Sequence, residues 1–274
     1  RSSLDVLRGE PKDANDKFDL RLNVRERDVD DFVRVVPSLD PTRSSGKIAA
    51  ALRASGTLED ANLSGVLTLK DGSLALTGYE SGIRNAGLVA LFQRDKIVIQ
   101  GSGESIAGGS AKIDAVADLS NALEDLSSLQ QILGRSPITG SVSVDQLAVR
   151  EPSVGEGGAV AATIERASLV LGGTLLQPSV GGDILLGPID LKVPTLGDAS
   201  PSGAPPVNPV FDNLKISTTV PVKVRASTAT LDLVGEGTIA GTLVEPRAAA
   251  QMVVQDGVFN LPSARVQLEE GGTL

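Results

Sequence analysis

The chain has 274 residues, with 34 acidic against 25 basic side chains, and it contains neither His nor Cys. Ser-His-Asp and Cys-His catalysis, disulfide frameworks and Cys- or His-bound zinc are therefore outside its chemistry. A net charge of −9 with singly scattered Lys and Arg, and an aromatic content of 2%, leave neither a basic stripe nor stacking rings for nucleic acid.

The length allows one large all-β unit or two smaller domains. Apolar runs reach about six residues, as in Gly-Leu-Val-Ala-Leu-Phe at 87–92. A membrane-spanning helix needs roughly 20 and a signal-peptide core roughly 7–15. The chain opens without Met and stops in mid-pattern at Glu-Gly-Gly-Thr-Leu, which reads as a piece of a longer chain.

Alternation of apolar and polar residues dominates from the start. Residues 18–24 (Phe-Asp-Leu-Arg-Leu-Asn-Val) alternate throughout, the signature of a half-buried strand. A short helix is expected at 28–36, with Val29, Phe32, Val33 and Val36 on one face and Asp28, Asp30 and Asp31 in its first turn. Leu67, Leu69, Leu74 and Leu76 then flank Asp71-Gly72 symmetrically. Read as a two-residue hairpin turn, Asp-Gly sets those leucines opposite one another on one face of a ribbon. Phe92, Ile97 and Ile99 continue the same aliphatic face. A second helix is expected at 120–133, with Ser120 or Asn121 as N-cap, Leu123, Leu126, Leu129, Ile132 and Leu133 as its stripe, and Gly134 closing it. Both helices read as plugs for an open end or edge of the sheet.

Alternation resumes at 142–149 and continues through Leu169 and Leu171, Ile184 and Leu186, and 185–193. The Pro-, Gly- and Ser-rich stretch 194–209 reads as a loop. It separates 1–193 from 210–274 and is taken as an insertion in one continuous sheet. Beyond it lie 220–226 with Val222 and Val224, then Leu231 and Leu233, and a second Asp-Gly at 256–257 flanked by Met252, Val254, Phe259 and Leu261. The expected total is roughly 18–20 strands at the usual spacing of about 8–12 residues. Gly-Thr-Leu recurs at 56, 173 and 241, followed in the last two by Pro178 and Pro246 at one offset. Fixed-offset repetition suggests a sheet that grows ribbon by ribbon.

Motifs for chemistry are weak. Residues 101–108 (Gly-Ser-Gly-Glu-Ser-Ile-Ala-Gly) have the wrong spacing for a dinucleotide loop and read as a strand-to-strand turn. The acidic run 13–19 lacks the Gly and distal Glu of a calcium loop. A carboxylate-pair glycosidase is disfavoured because sugar platforms need aromatic rings. Asn62-Leu-Ser64 matches a glycosylation sequon, a tripeptide that occurs by chance.

Residues 220–225 (Val-Pro-Val-Lys-Val-Arg), 231–246 and 253–271 resemble the C-terminal domain of the TamB family. Residues 31–39, Ser45-Gly-Lys-Ile and Ala54-Ser-Gly-Thr-Leu are similar to the AsmA/TamB superfamily repeat. The resemblance implies a long twisted sheet curled into a U-shaped trough, a β-taco, with an apolar interior. It implies a periplasmic bridge anchored in the inner membrane by a segment not contained here, a partner barrel of the BamA/TamA family in the outer membrane, and phospholipid as cargo. No cofactor or catalytic residue is implied.

The expected function is therefore a non-enzymatic hydrophobic conduit for acyl chains. Its lining would be Leu67, Leu69, Leu74, Leu76, Phe92, Ile97, Ile99, Leu169, Leu171, Ile184, Leu186, Val222, Val224, Leu231, Leu233, Met252, Val254, Phe259 and Leu261. A strand spacing of about 4.8 Å gives such a trough a length of about 90 Å. The alternatives are a scaffold that holds outer-membrane strands by edge pairing, and a closed β-sandwich or β-helix. Open edges also predict self-association through strands.

Overall fold

The computed structural model describes residues 17–29, 39–57, 61–75, 80–120, 129–154, 158–193, 208–242, 244–261, 263–268 and 272–273. Most of them are strand. The order is β1 (Phe18–Asp28), β2 (Ser45–Gly56), β3 (Ala61–Ala75), β4 (Gly82–Arg94), β5 (Lys96–Ser105), β6 (Ser110–Asp118), α1 (Leu129–Arg135), β7 (Ile138–Val154), β8 (Gly158–Gly173), β9 (Pro178–Lys192), β10 (Val210–Thr218), β11 (Val222–Arg225), β12 (Ala229–Thr242), β13 (Pro246–Leu261), β14 (Ala264–Leu268) and β15 (Gly272–Thr273).

All 15 strands join one sheet, in chain order from β1 to β9 and then through β10, β12, β13 and β14. Among the described residues there is no second sheet to make a sandwich, and the ladders are antiparallel except for two. β10 and β11 both run parallel to β9, side by side with its two halves. Together they act as one strand broken at 219–221, which lets Pro221 sit inside a sheet without removing a ladder bond. A parallel neighbour requires a crossover. Accordingly Val193 and Pro209 flank opposite ends of β9, Val193 beside Arg225 and Val210 beside Ser179. The intervening 194–207 lie outside the described residues.

The Asp-Gly pairs are not hairpin turns. β3 runs straight through Asp71-Gly72 and β13 through Asp256-Gly257. Leu67 opposes Ala50 and Ala90, and Leu69 opposes Ile48 and Leu88; neither opposes a residue across the Asp-Gly. Each pair marks a β-bulge, where the register slips between Leu69 and Gly72 and between Asp232 and Leu233. Asp71 takes the left-handed conformation, φ 49°, which Asp tolerates better than most residues. The strands are consequently longer and fewer than expected. The thirteen successive positions from β1 to β14 span about 58 Å at the usual strand spacing, not 90 Å.

Bulges recur along the sheet. Register slips occur in β1–β2, β2–β3, β3–β4 and β4–β5, and again in β8–β9, β10–β12 and β12–β13. A bulge bends its strand and increases the local twist.

The repeated Gly-Thr-Leu closes strands and does not open them. Gly173 opposes Pro178 and Gly241 opposes Pro246, with a four-residue loop between. The Thr174 hydroxyl accepts the Gln177 amide at 3.1 Å, and the Thr242 hydroxyl accepts that of Glu245 at 3.0 Å. Both glycines have positive φ, 75° and 89°, which explains why Gly stands there. Gly56 ends β2 opposite Ala61 in the same way. The repeat is a turn along one rim of the sheet.

Of the expected helix at 28–36, Asp28 instead ends β1 and Val29 is in a turn, and 30–36 lie outside the described residues. Of 120–133, Ser120 and 129 onward are described, and the Ser120 amide and hydroxyl both donate to the Asp118 carboxylate. There α1 runs one residue past Gly134, and Leu133 and Ser136 accept the amides of Leu176 and Leu175 in the β8–β9 turn.

The pairing is checked by cysteine pairs, since the chain has none of its own. Leu67→Cys with Ala90→Cys should oxidise to an intrachain disulfide, as opposed Cβ atoms lie about 4.5–5.5 Å apart. Leu67→Cys with Leu76→Cys should not; the reverse result restores the hairpin.

Candidate functional site

Directly opposed residues share a face, and alternate residues along a strand take opposite faces. Followed from strand to strand, the register draws a row from Ala50 through Leu67, Ala90, Ile99, Ala115, Gly140, Leu171 and Val180 to Phe211. Another runs from Val149 through Ala162, Ile189, Val222 and Leu233 to Val254. Every member is apolar. The face therefore carries an aliphatic surface crossing all the long strands.

The expected lining residues fall on this face: Leu67, Leu69 and Leu74 on β3, Phe92 on β4, Ile97 and Ile99 on β5, Leu169 and Leu171 on β8, Ile184 and Leu186 on β9. Val222 and Val224 on β11, Leu231 and Leu233 on β12, and Met252, Val254 and Phe259 on β13 complete it. Leu76 and the Leu261 side chain lie outside the described residues. Sequence reasoning missed the small residues between them. Ala50, Ala86, Ala90, Ala115, Ala117 and Ala167 are buried on this face, with Ile138, Val144, Val222 and Val254, while most of its other large side chains are only half-buried. Their signal was present, since each alanine alternates in step with a neighbouring Leu, Ile or Val.

The opposite face is mainly polar, with Lys47, Arg53, Lys70, Gln93, Gln100, Lys112, Asp114 and Ser143. One aliphatic stripe crosses it through Val66, Leu91, Val98 and Val116. The two faces are sheltered unequally. Val253 is 39% exposed on the polar face, and the adjacent Val254, on the apolar face, is 1% exposed. Val170 is 63% exposed between the half-buried Leu169 and Leu171. The barest large side chains of the apolar face are Leu22 on β1, Val266 on β14 and Ile83 on β4, at 55%, 43% and 42% exposed. Two open depressions, lined by Asp183, Lys215, Glu236 and Gln251 and by Arg150, Thr163, Asp190 and Lys223, lie mainly on the polar face. Their mixed charges make them unlike a hydrocarbon site.

One carboxylate stands on the apolar face near its rim. Glu151, 8% exposed, opposes Val160 and accepts the amides of Glu80 and Ser81 at 2.8 and 2.9 Å. The Ser81 hydroxyl bonds the Arg150 carbonyl, and Arg43 bonds the Glu80 carbonyl. This clasp ties the start of β4 to β7 past the β5–β6 hairpin. Ser105 and Ile106 of that hairpin's tip bond Ala148 and Gly82. Burial is the largest single influence on Glu151 and pushes its carboxyl up, but Ser81, the two amides and the Arg43 charge together hold it below its ordinary 4.5. Among the described residues no group of carboxylates is placed to hold a metal ion, and no helix is long and apolar enough to cross a membrane.

Comparison with protein families, with curated proteins and with solved structures finds no match.

A depressed carboxyl stabilises the fold above its unfolded value and loses that contribution as pH falls through its folded value. Glu151→Gln should therefore cost about 1–3 kcal/mol at pH 7, the worth of hydrogen bonds to a charged group. The cost should shrink in urea titrations below pH 4. A difference independent of pH would show that Glu151 is not held charged.

Proposed function

We propose that the aliphatic face is the inner wall of a trough that carries acyl chains, and that the protein is a non-enzymatic conduit for phospholipid. The observation that carries this reading is the unequal shelter of the two faces in a single-layer sheet. Side chains on the apolar face are protected although, among the described residues, no second sheet lies against them. The bulges supply a means, because curvature toward the apolar face lets the sheet shield itself.

Acyl chains suit such a wall. Each methylene kept from water is worth about 0.8 kcal/mol, so an 18-carbon chain left in water costs on the order of 10 kcal/mol or more. A continuous aliphatic wall removes most of that cost at every step, and head groups stay in solvent. The alternation of Leu or Ile with Ala and Gly along the rows gives ridges and hollows of methylene size. The envelope location, inner-membrane anchorage and a BamA/TamA-family barrel partner follow from the sequence resemblance alone and are proposed on that footing. A strand-pairing scaffold would use the sheet's open edge and leave this face unexplained.

Lipid occupancy tests the reading. Phospholipid extracted from the purified chain and counted by mass spectrometry should fall about tenfold or more in Leu69→Asp and Ile99→Asp, because an unpaired carboxylate in a hydrocarbon path costs well over 1.4 kcal/mol. Val170→Asp, on the polar face, should leave it unchanged, with all three variants folded by circular dichroism. Equal lipid in all three, or none in the parent chain, rejects the conduit.

A further inference from the structure

An Asp-Gly junction can react with itself. Glycine leaves the following amide nitrogen without a shielding side chain, and closing that nitrogen onto the aspartate carboxyl carbon makes a five-membered ring. The chain holds two such junctions, Asp71-Gly72 and Asp256-Gly257. Packing holds both glycines in place. A Cβ added at 257 would stand 2.8 Å from Leu231 Cδ2, and one added at 72 would stand 3.0 Å from the Ala86 Cβ. Exchange of either glycine for a shielding residue therefore forces its neighbours to shift.

The fold presents the two junctions differently. Gly257 donates its amide to Oδ1 of Asp256 itself, at 2.7 Å. The carboxyl is thus folded back onto the nitrogen that follows it, and the carbon to be attacked is one bond beyond the touching oxygen. Asp256 is exposed, so water reaches the junction. On its outer side β13 is paired there by β14, a strand of five residues. Asp71 instead takes the left-handed φ of 49°, and β3 is flanked by β2 and β4, of 12 and 13 residues. Reacting groups held in contact gain rate over groups that must first be brought together.

We propose that Asp256-Gly257 is a site of isoaspartate formation in the folded protein. The Gly257 nitrogen attacks the Asp256 side-chain carboxyl carbon. The new N–C bond forms as the amide proton and the hydroxyl of the protonated carboxyl leave together as water, and a succinimide remains. Water then opens the ring at either carbonyl. Opening at the side-chain carbonyl restores aspartate; opening at the main-chain carbonyl carries the chain through Cβ. Nothing is oxidised or reduced, and water is the only reagent. Isoaspartate adds one carbon to the main chain of β13 beside Gln255, the surplus residue of the bulge. Phe259 is thereby offset from Ala229 and Val266, the residues it opposes. The proposal rests on the geometry of this junction and not on the acyl-chain reading.

Incubation of the whole chain in heavy-oxygen water at neutral pH tests it, because each ring opening leaves one heavy oxygen behind. Peptides are then weighed, and electron-transfer fragmentation separates isoaspartate from aspartate. In the folded chain the peptide holding Asp256 should gain heavy oxygen and isoaspartate about tenfold or more faster than the one holding Asp71, the scale of a modest advantage in positioning. In urea the two should react alike, since the fold that distinguishes them is gone. Asp256→Glu, which would need a six-membered ring, should leave that peptide unlabelled with unchanged circular dichroism. Labelling at Asp71 as fast as at Asp256 in the folded chain, no label at Asp256, or a tenfold difference that persists in urea would each overturn the proposal.

Discussion

Among the described residues a single sheet carries an aliphatic face with no second sheet against it, and the sheltering of that face organises the molecule. Period-2 alternation puts Leu, Ile, Val, Ala and Gly on one side of strand after strand, and the register keeps them in unbroken rows. Burial of that surface is the main favourable term available to such a sheet. The contrast between Val253 and Val254 shows how far the sheltering of one side goes.

The bulges serve this sheltering in two ways. Each bulge is a point at which a strand bends, in strands that reach the 17 residues of β7. They also shift the phase of alternation, and the sequence shifts with them. Leu67 and Leu69 are odd-numbered and Leu74 even, yet all three share a face because one residue is inserted at Asp71-Gly72. Val254 and Phe259 are related in the same way across Asp256-Gly257. A bulge without the matching change of phase would turn half a strand's aliphatic residues into water.

That same change of phase explains what could be read in advance. A two-residue hairpin and a bulge make identical demands on side-chain parity, and Asp-Gly suits the left-handed backbone of either. The face of each leucine was therefore legible from local pattern, and its opposing residue was not. Choosing between the two depends on whether residues 82–94 lie beside 61–75, a long-range fact with no local signal. The strand count and length went wrong for that reason. The parallel seat of β10 and β11 beside β9 was hidden likewise, though Pro221 marked the break. The Gly-Thr-Leu repeat was visible, but only the Thr hydroxyl bonds and the positive φ of Gly173 and Gly241 identify it as a rim turn. Glu151 carries no local signature, because its partners Glu80 and Ser81 lie about seventy positions away.

The central claim is that one face of a single sheet is a sheltered hydrocarbon surface open to a guest. A polarity-sensitive fluorophore on single cysteines at positions 169, 170 and 171 tests it most directly. The account predicts blue-shifted emission at 169 and 171, red-shifted emission at 170, and a response to added phospholipid at the first two only. Emission that does not alternate, or that alternates but ignores lipid at all three positions, would contradict it.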